Sequence, residues 1–133
     1  YSQVQRAGAQ GFEHNEINPD ATPNQMIQLW VMPDEAGESA GYKMYPPVKG
    51  EVTHIYGGEK DQSKTFYSAT SISVANTFNQ QTIEHSGEVM AYLSKGKGIV
   101  NGQEIEARTL IRSETGITFE SSQESQLILI YAS

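Results

Sequence analysis

The sequence predicts an all-β protein, a sandwich or barrel of the jelly-roll kind. Three observations carry that expectation. Short runs of β-branched and aromatic residues recur at regular spacing through the second half of the chain, Gly, Ser, Thr and Asn separate them, and no stretch has the apolar period of an amphipathic helix. At 133 residues the chain fits one domain, able to bury roughly two-thirds of its unfolded surface.

Bulk composition excludes several function classes. The net charge is −7 and the nine Lys and Arg residues are scattered, so the basic footprint that neutralises nucleic-acid phosphates is missing. With no cysteine there is no disulfide framework, thiolate ligand or thiol nucleophile. No apolar run reaches the length of a bilayer span, and the N-terminus lacks the pattern of a signal peptide. The expectation is a soluble, cytoplasmic protein without direct nucleic-acid or membrane contact.

Residues Tyr1 to Ala9 read as a short extended piece between turns at Gly8 and Gly11. In His14-Asn15-Glu16 the two chemically active side chains share one face if the segment is extended, because strand side chains alternate. An imidazole and a carboxylate on one face suit a divalent ion. Asn18-Pro19-Asp20 and Thr22-Pro23-Asn24 are turn signals. The run Gln25 to Met32 follows, with Met26, Trp30 and Met32 on one face and Ile27, Leu29 and Val31 on the other. Apolar residues on both faces predict a central strand covered on both sides.

From Pro33 to Pro47 the chain reads as a polar connector, with Gly37, Gly41 and Pro46-Pro47. Val52 to Tyr56 is a candidate strand, Gly57 to Lys64 a charged loop, and Ser71 to Phe78 alternates with Ile72, Val74 and Phe78 on one face. Further strands are expected at Val89 to Leu93, Thr109 to Ile111, Ile117 to Phe119 and Leu127 to Tyr131. Gly98 to Val100 and Gln103 to Glu106 flank Asn101-Gly102, the favoured two-residue hairpin turn. Lys95-Gly96-Lys97-Gly98 lacks the strand-to-helix setting of a phosphate loop and reads as a turn.

A stable metal site generally uses three or four protein ligands, and His54 and His85 are the only other histidines that could join His14 and Glu16. Two roles are open for Trp30, Phe78, Tyr92 and Phe119. They would line a pocket for a flat aromatic ligand or fill the interior of the barrel.

The order Gly11-Phe12-Glu13-His14-Asn15-Glu16, a Pro-containing turn, Gln28-Leu29-Trp30-Val31 and Pro33 resembles the pirin family of double cupins. The stretch Tyr92 to Ile130, with its Gly-x-Gly and its Asn-Gly hairpin, resembles that family's second barrel. The resemblance implies correspondence to the C-terminal half only. Residues 1–33 would be the last strands of a first cupin barrel, 34–51 a connector and 52–133 a cupin-like barrel. In the family four ligands hold an Fe(II)-type ion: a His-x-His pair, a later His and a Glu. His14 and Glu16 match the last two, and the His-x-His pair is absent from the chain. The resemblance therefore implies a non-catalytic protein that binds a protein or small ligand without a cofactor. The alternative is a metal-dependent dioxygenase of the quercetinase kind, with His14, Glu16 and a third ligand on iron, nickel or zinc. The uncovered Met26 to Met32 run implies a homodimer formed through the N-terminal strands.

Overall fold

The computed structural model describes residues 1–9, 11, 13 and 16–133, and among these every regular element is a strand. The first two, β1 (Ser2–Arg6) and β2 (Gly41–Tyr45), pair antiparallel as a separate ribbon. β3 (Val52–Gly58), β4 (Ser68–Thr77), β11 (Ser125–Ala132), β6 (Val89–Lys95) and β9 (Thr109–Ser113) form a five-stranded sheet in that order. β5 (Thr82–Ser86), β10 (Gly116–Ser121), β7 (Lys97–Val100) and β8 (Gln103–Glu106) form a four-stranded one. Every pairing is antiparallel.

The two sheets face each other across the main core. Ala75, Ala91, Leu93, Leu127 and Leu129 come from the five-stranded sheet, and Ile83, Val100, Ile117 and Phe119 from the four-stranded one. Phe119, Leu93 and Leu127 are completely buried; full burial of one such side chain stabilises the fold by about 1.5–3 kcal/mol. Seven buried serines and threonines accompany them. Among the described residues no buried side-chain oxygen or nitrogen lacks a hydrogen-bond partner, which removes the main penalty for burying them.

A second cluster lies on the outer face of the five-stranded sheet: Ile55, Ile72, Val74 and Ile128, with Val4, Val31, Tyr45 and Tyr92 packed against it. The inner face of the ribbon thus covers that sheet. Ser2, Val4 and Arg6 are half-buried while Gln3 and Gln5 are exposed, the alternation of a strand with one wet side. β4 and β11 are the strands covered on both sides, and Ser71 to Ala75 and Leu127 to Leu129 are buried without a break.

Local turn chemistry explains the hairpin between β7 and β8. Asn101 and Gly102 adopt φ of 48° and 84°, and Val100 pairs with Gln103. Two consecutive positive φ values define the type I′ turn, whose twist matches that of the flanking strands. At Gly96 the chain leaves β6 of one sheet and enters β7 of the other, so the Lys95 to Gly98 stretch is the turn its composition predicts.

Two expectations are corrected. The run Gln25 to Met32 is not a strand: it carries no ladder, and only Val31 packs against the sheet. Apolar residues on both faces are necessary for a central strand, but the backbone also needs a neighbouring edge for its N–H and C=O groups. No described strand pairs with this run. The stretch Pro33 to Pro47, read as a connector, contains β2, whose edge the expected N-terminal extended piece occupies as β1. β5 had no strand expectation, and Phe78 falls just beyond β4, 52% exposed.

Candidate functional site

Of the paired candidates His14 and Glu16, His14 lies outside the described residues. Glu16 is exposed, and its carboxylate accepts a hydrogen bond from the side-chain amide of Gln28. The bond joins the two ends of the 16–28 segment across the Pro-containing turns, where Asn18 accepts from the Asp20 N–H and donates to the Thr22 carbonyl.

The two described histidines sit on the sandwich. His85, on β5, faces inward, and its ring meets that of Tyr131 with centroids 4.5 Å apart and planes tilted by 48°. The Tyr131 hydroxyl and Ser73 Oγ share a hydrogen bond of 2.9 Å across β4 and β11. His54 on β3 stands opposite Ser73 in the ladder, so the two side chains share a face, but His54 is exposed. Ser71 Oγ, two residues along β4 on the same face, bonds Ser133 Oγ. The alternation of β4 and β11 therefore assembles hydroxyls and an imidazole at one end of the interior.

This cluster has a limited chemistry. His85 meets Tyr131 ring to ring. Among the described residues no three His, Asp or Glu side chains gather into a metal-ligand set.

The four aromatic candidates occupy different places. Phe119 is completely buried in the main core, Tyr92 packs on the outer cluster behind the five-stranded sheet, Phe78 is half exposed beside Gly50 and Lys49, and Trp30 is 90% exposed. They do not meet around one cavity.

The fold and the sequence both find relatives. The chain is 30% identical over 140 aligned residues to a candidate quercetin 2,3-dioxygenase of Pseudomonas aeruginosa, covering 96% of this chain and 60% of the relative. It is 26% identical over 141 residues to a protein of the same description from Zymomonas mobilis, covering 96% and 59%. A solved structure of the bacterial pirin YhhW of Escherichia coli, in complex with nickel(II), superposes with a TM-score of 0.63 at 18% identity, over 76% of this chain and 47% of that one.

The fold of the chain is pirin-like. Its all-β architecture is that of a cupin sandwich with extra N-terminal strands, and a second structure of YhhW superposes equally well, with a TM-score of 0.62. No family model matches the chain. The pirin-like chain spans about 60% of the curated relatives' length. Among its described residues no helix is long and apolar enough to cross a membrane.

Sequence reasoning missed the Ser73, Tyr131 and His85 cluster. Its members lie 58 residues apart in the Ser73 to Tyr131 hydrogen bond, and only the antiparallel pairing of β4 with β11 brings them together. The available signal was Ser71 and Ser73 alternating with Ile72 and Val74 in a strand that is covered on both sides.

Proposed function

We propose that this pirin-like cupin chain works by binding rather than by catalysis, with a second copy of itself as a partner. The observation that carries the reading is the run from Met26 to Met32. Met26, Ile27, Leu29, Trp30 and Met32 are 44–90% exposed, next to a Val31 already packed on the sandwich. A contiguous patch of this kind marks an interaction surface on a folded protein. Covering Trp30 alone removes about 200 Å² from water, worth about 5 kcal/mol before the costs of association. A two-fold contact lets each run cover the other. On this reading residues 1–33 correspond to strands of a first barrel, 34–51 lead on through β2, and 52–133 form the binding domain's body. The confinement of the main core to residues 75–129 supports that division.

Sedimentation velocity tests the proposal. The native chain is expected to sediment as a dimer, and Trp30→Ser with Met32→Ser as a monomer with unchanged thermal unfolding. A native monomer at every concentration would sink it.

A second reading, metal-dependent dioxygenase activity using His14, Glu16 and a third ligand, is favoured by the descriptions of the two relatives and by the nickel in the YhhW complex. It requires quercetin consumption under air that disappears in His14→Ala. Localisation in the cytoplasm accords with either reading.

A further inference from the structure

We propose that a cleft beside the β1–β2 ribbon binds a small organic carboxylate. The cleft measures about 500 Å³ and lies between the ribbon, residues 35–38 and the loop 59–67. Three of the chain's nine basic residues line it. The Arg6 guanidinium lies 4.6 Å and Lys43 Nζ 5.1 Å from the centroid of the Phe66 ring, and Lys60 Nζ lies 4.8 Å from that of Tyr67. An aromatic face steadies a cation and leaves its outer side available. In a chain of net charge −7, such a cluster is a local attractor for anions.

The protein's own side chains show what the cleft accepts. Glu38 holds Arg6 at 2.8 Å and Glu35 holds Lys60 at 2.7 Å. Lys43 is the third cation, and among the described residues no carboxylate lies within ion-pair distance of it. Its ammonium donates to the Ser63 carbonyl at 2.7 Å. An ammonium has three donors, so two remain for a ligand. Three cations against two carboxylates leave a place for one more carboxylate.

The site is also built in advance. Phe66 is buried and packs on Gly41, where a Cβ would stand 2.8 Å from the ring. The Gln62 amide donates to the Glu59 and Thr65 carbonyls at 2.9 and 3.1 Å and accepts from the Lys64 and Thr65 N–H groups at 2.9 and 3.1 Å. Thr65 Oγ1 fixes the far end of the loop on the Gly57 carbonyl at 2.5 Å. A platform ordered before binding lowers the entropic cost of holding a ligand. The volume suits a small molecule.

None of the residues from Met26 to Met32 lines the cleft, and the proposal rests on the geometry of the cleft alone. The test is an amide NMR titration of the full chain with sodium benzoate, alongside sodium chloride at equal ionic strength. Benzoate is expected to give saturable shifts confined to Arg6, Lys43 and the 59–67 loop. Lys43→Gln is expected to weaken binding about fivefold, a charge-assisted hydrogen bond discounted for its partial exposure, while Lys43→Arg keeps it. Shifts reproduced by chloride, or a Lys43→Gln variant that titrates like the native chain, would overturn the proposal. Binding that survives in Trp30→Ser/Met32→Ser keeps it independent of the dimer.

Discussion

Gly98 and Phe119 touch across the pairing of β7 with β10. A Cβ on Gly98 would stand 2.4 Å from one ring carbon of Phe119 and 2.5 Å from the Glu120 carbonyl oxygen. The completely buried ring therefore occupies the space a side chain at position 98 would need, and the absence of one there is what makes room for it. Overpacking a core of this density costs about 1–3 kcal/mol. Gly98→Ala is expected to lower the unfolding free energy by that amount, read as a lower urea midpoint with an unchanged m-value.

Gly102 tests a different cause. Nothing lies within 4 Å of the Cβ position there, yet φ is 84°. The cost of Gly102→Ala is conformational, about 1–2 kcal/mol, and Gly102→Asn should recover much of it because Asn tolerates the left-handed region. Equilibrium unfolding of the two variants checks this, and equal losses would refute the conformational account.

The Ser73 and Tyr131 hydroxyls share one half-buried hydrogen bond. Ser73→Ala and Tyr131→Phe are each expected to cost about 1 kcal/mol. Each single change removes the same bond, so the double variant should lose less than the two losses added together. A double-mutant cycle by thermal unfolding measures the coupling, and strict additivity would mean that the bond contributes nothing.

Burial pushes the Tyr45 phenol above the ordinary tyrosine range. Its hydroxyl donates to the Lys64 carbonyl at 2.6 Å, a bond that also needs the proton. The folded state thus favours the neutral phenol, so this contribution is complete below the ordinary tyrosine range and is lost as pH rises through the folded value. Spectrophotometric titration of the seven tyrosines should show a late alkaline step that vanishes in Tyr45→Phe.

Where structure is dictated locally, the sequence was legible. Asn101-Gly102 specifies its hairpin because both residues accept positive φ, and the Ile- and Leu-rich run of β11 announces a strand. The run Gln25 to Met32 carries the same apolar signal as β11 but no described strand offers it an edge, and pairing cannot be read from one segment alone. β2 was hidden because Gly41 and the neighbouring prolines read as loop, while its partner β1 lies 35 residues earlier, as the Arg6 to Gly41 pair shows. Arg6, Lys43 and Lys60 look scattered along the chain; the β1–β2 pairing brings the first two together, and the loop 59–67 brings Lys60 to the same cleft. The His14 and Glu16 pair was visible as chemistry, but a site is a matter of distances among several segments, and Glu16 is tied to Gln28.

The central claim is that this pirin-like chain binds rather than catalyses. The most direct measurement is the metal content of the native protein purified without chelator, beside a His14→Ala variant. The account predicts less than stoichiometric iron, nickel or zinc in the native protein and no difference between the two. One metal ion per chain that is lost in His14→Ala would contradict it.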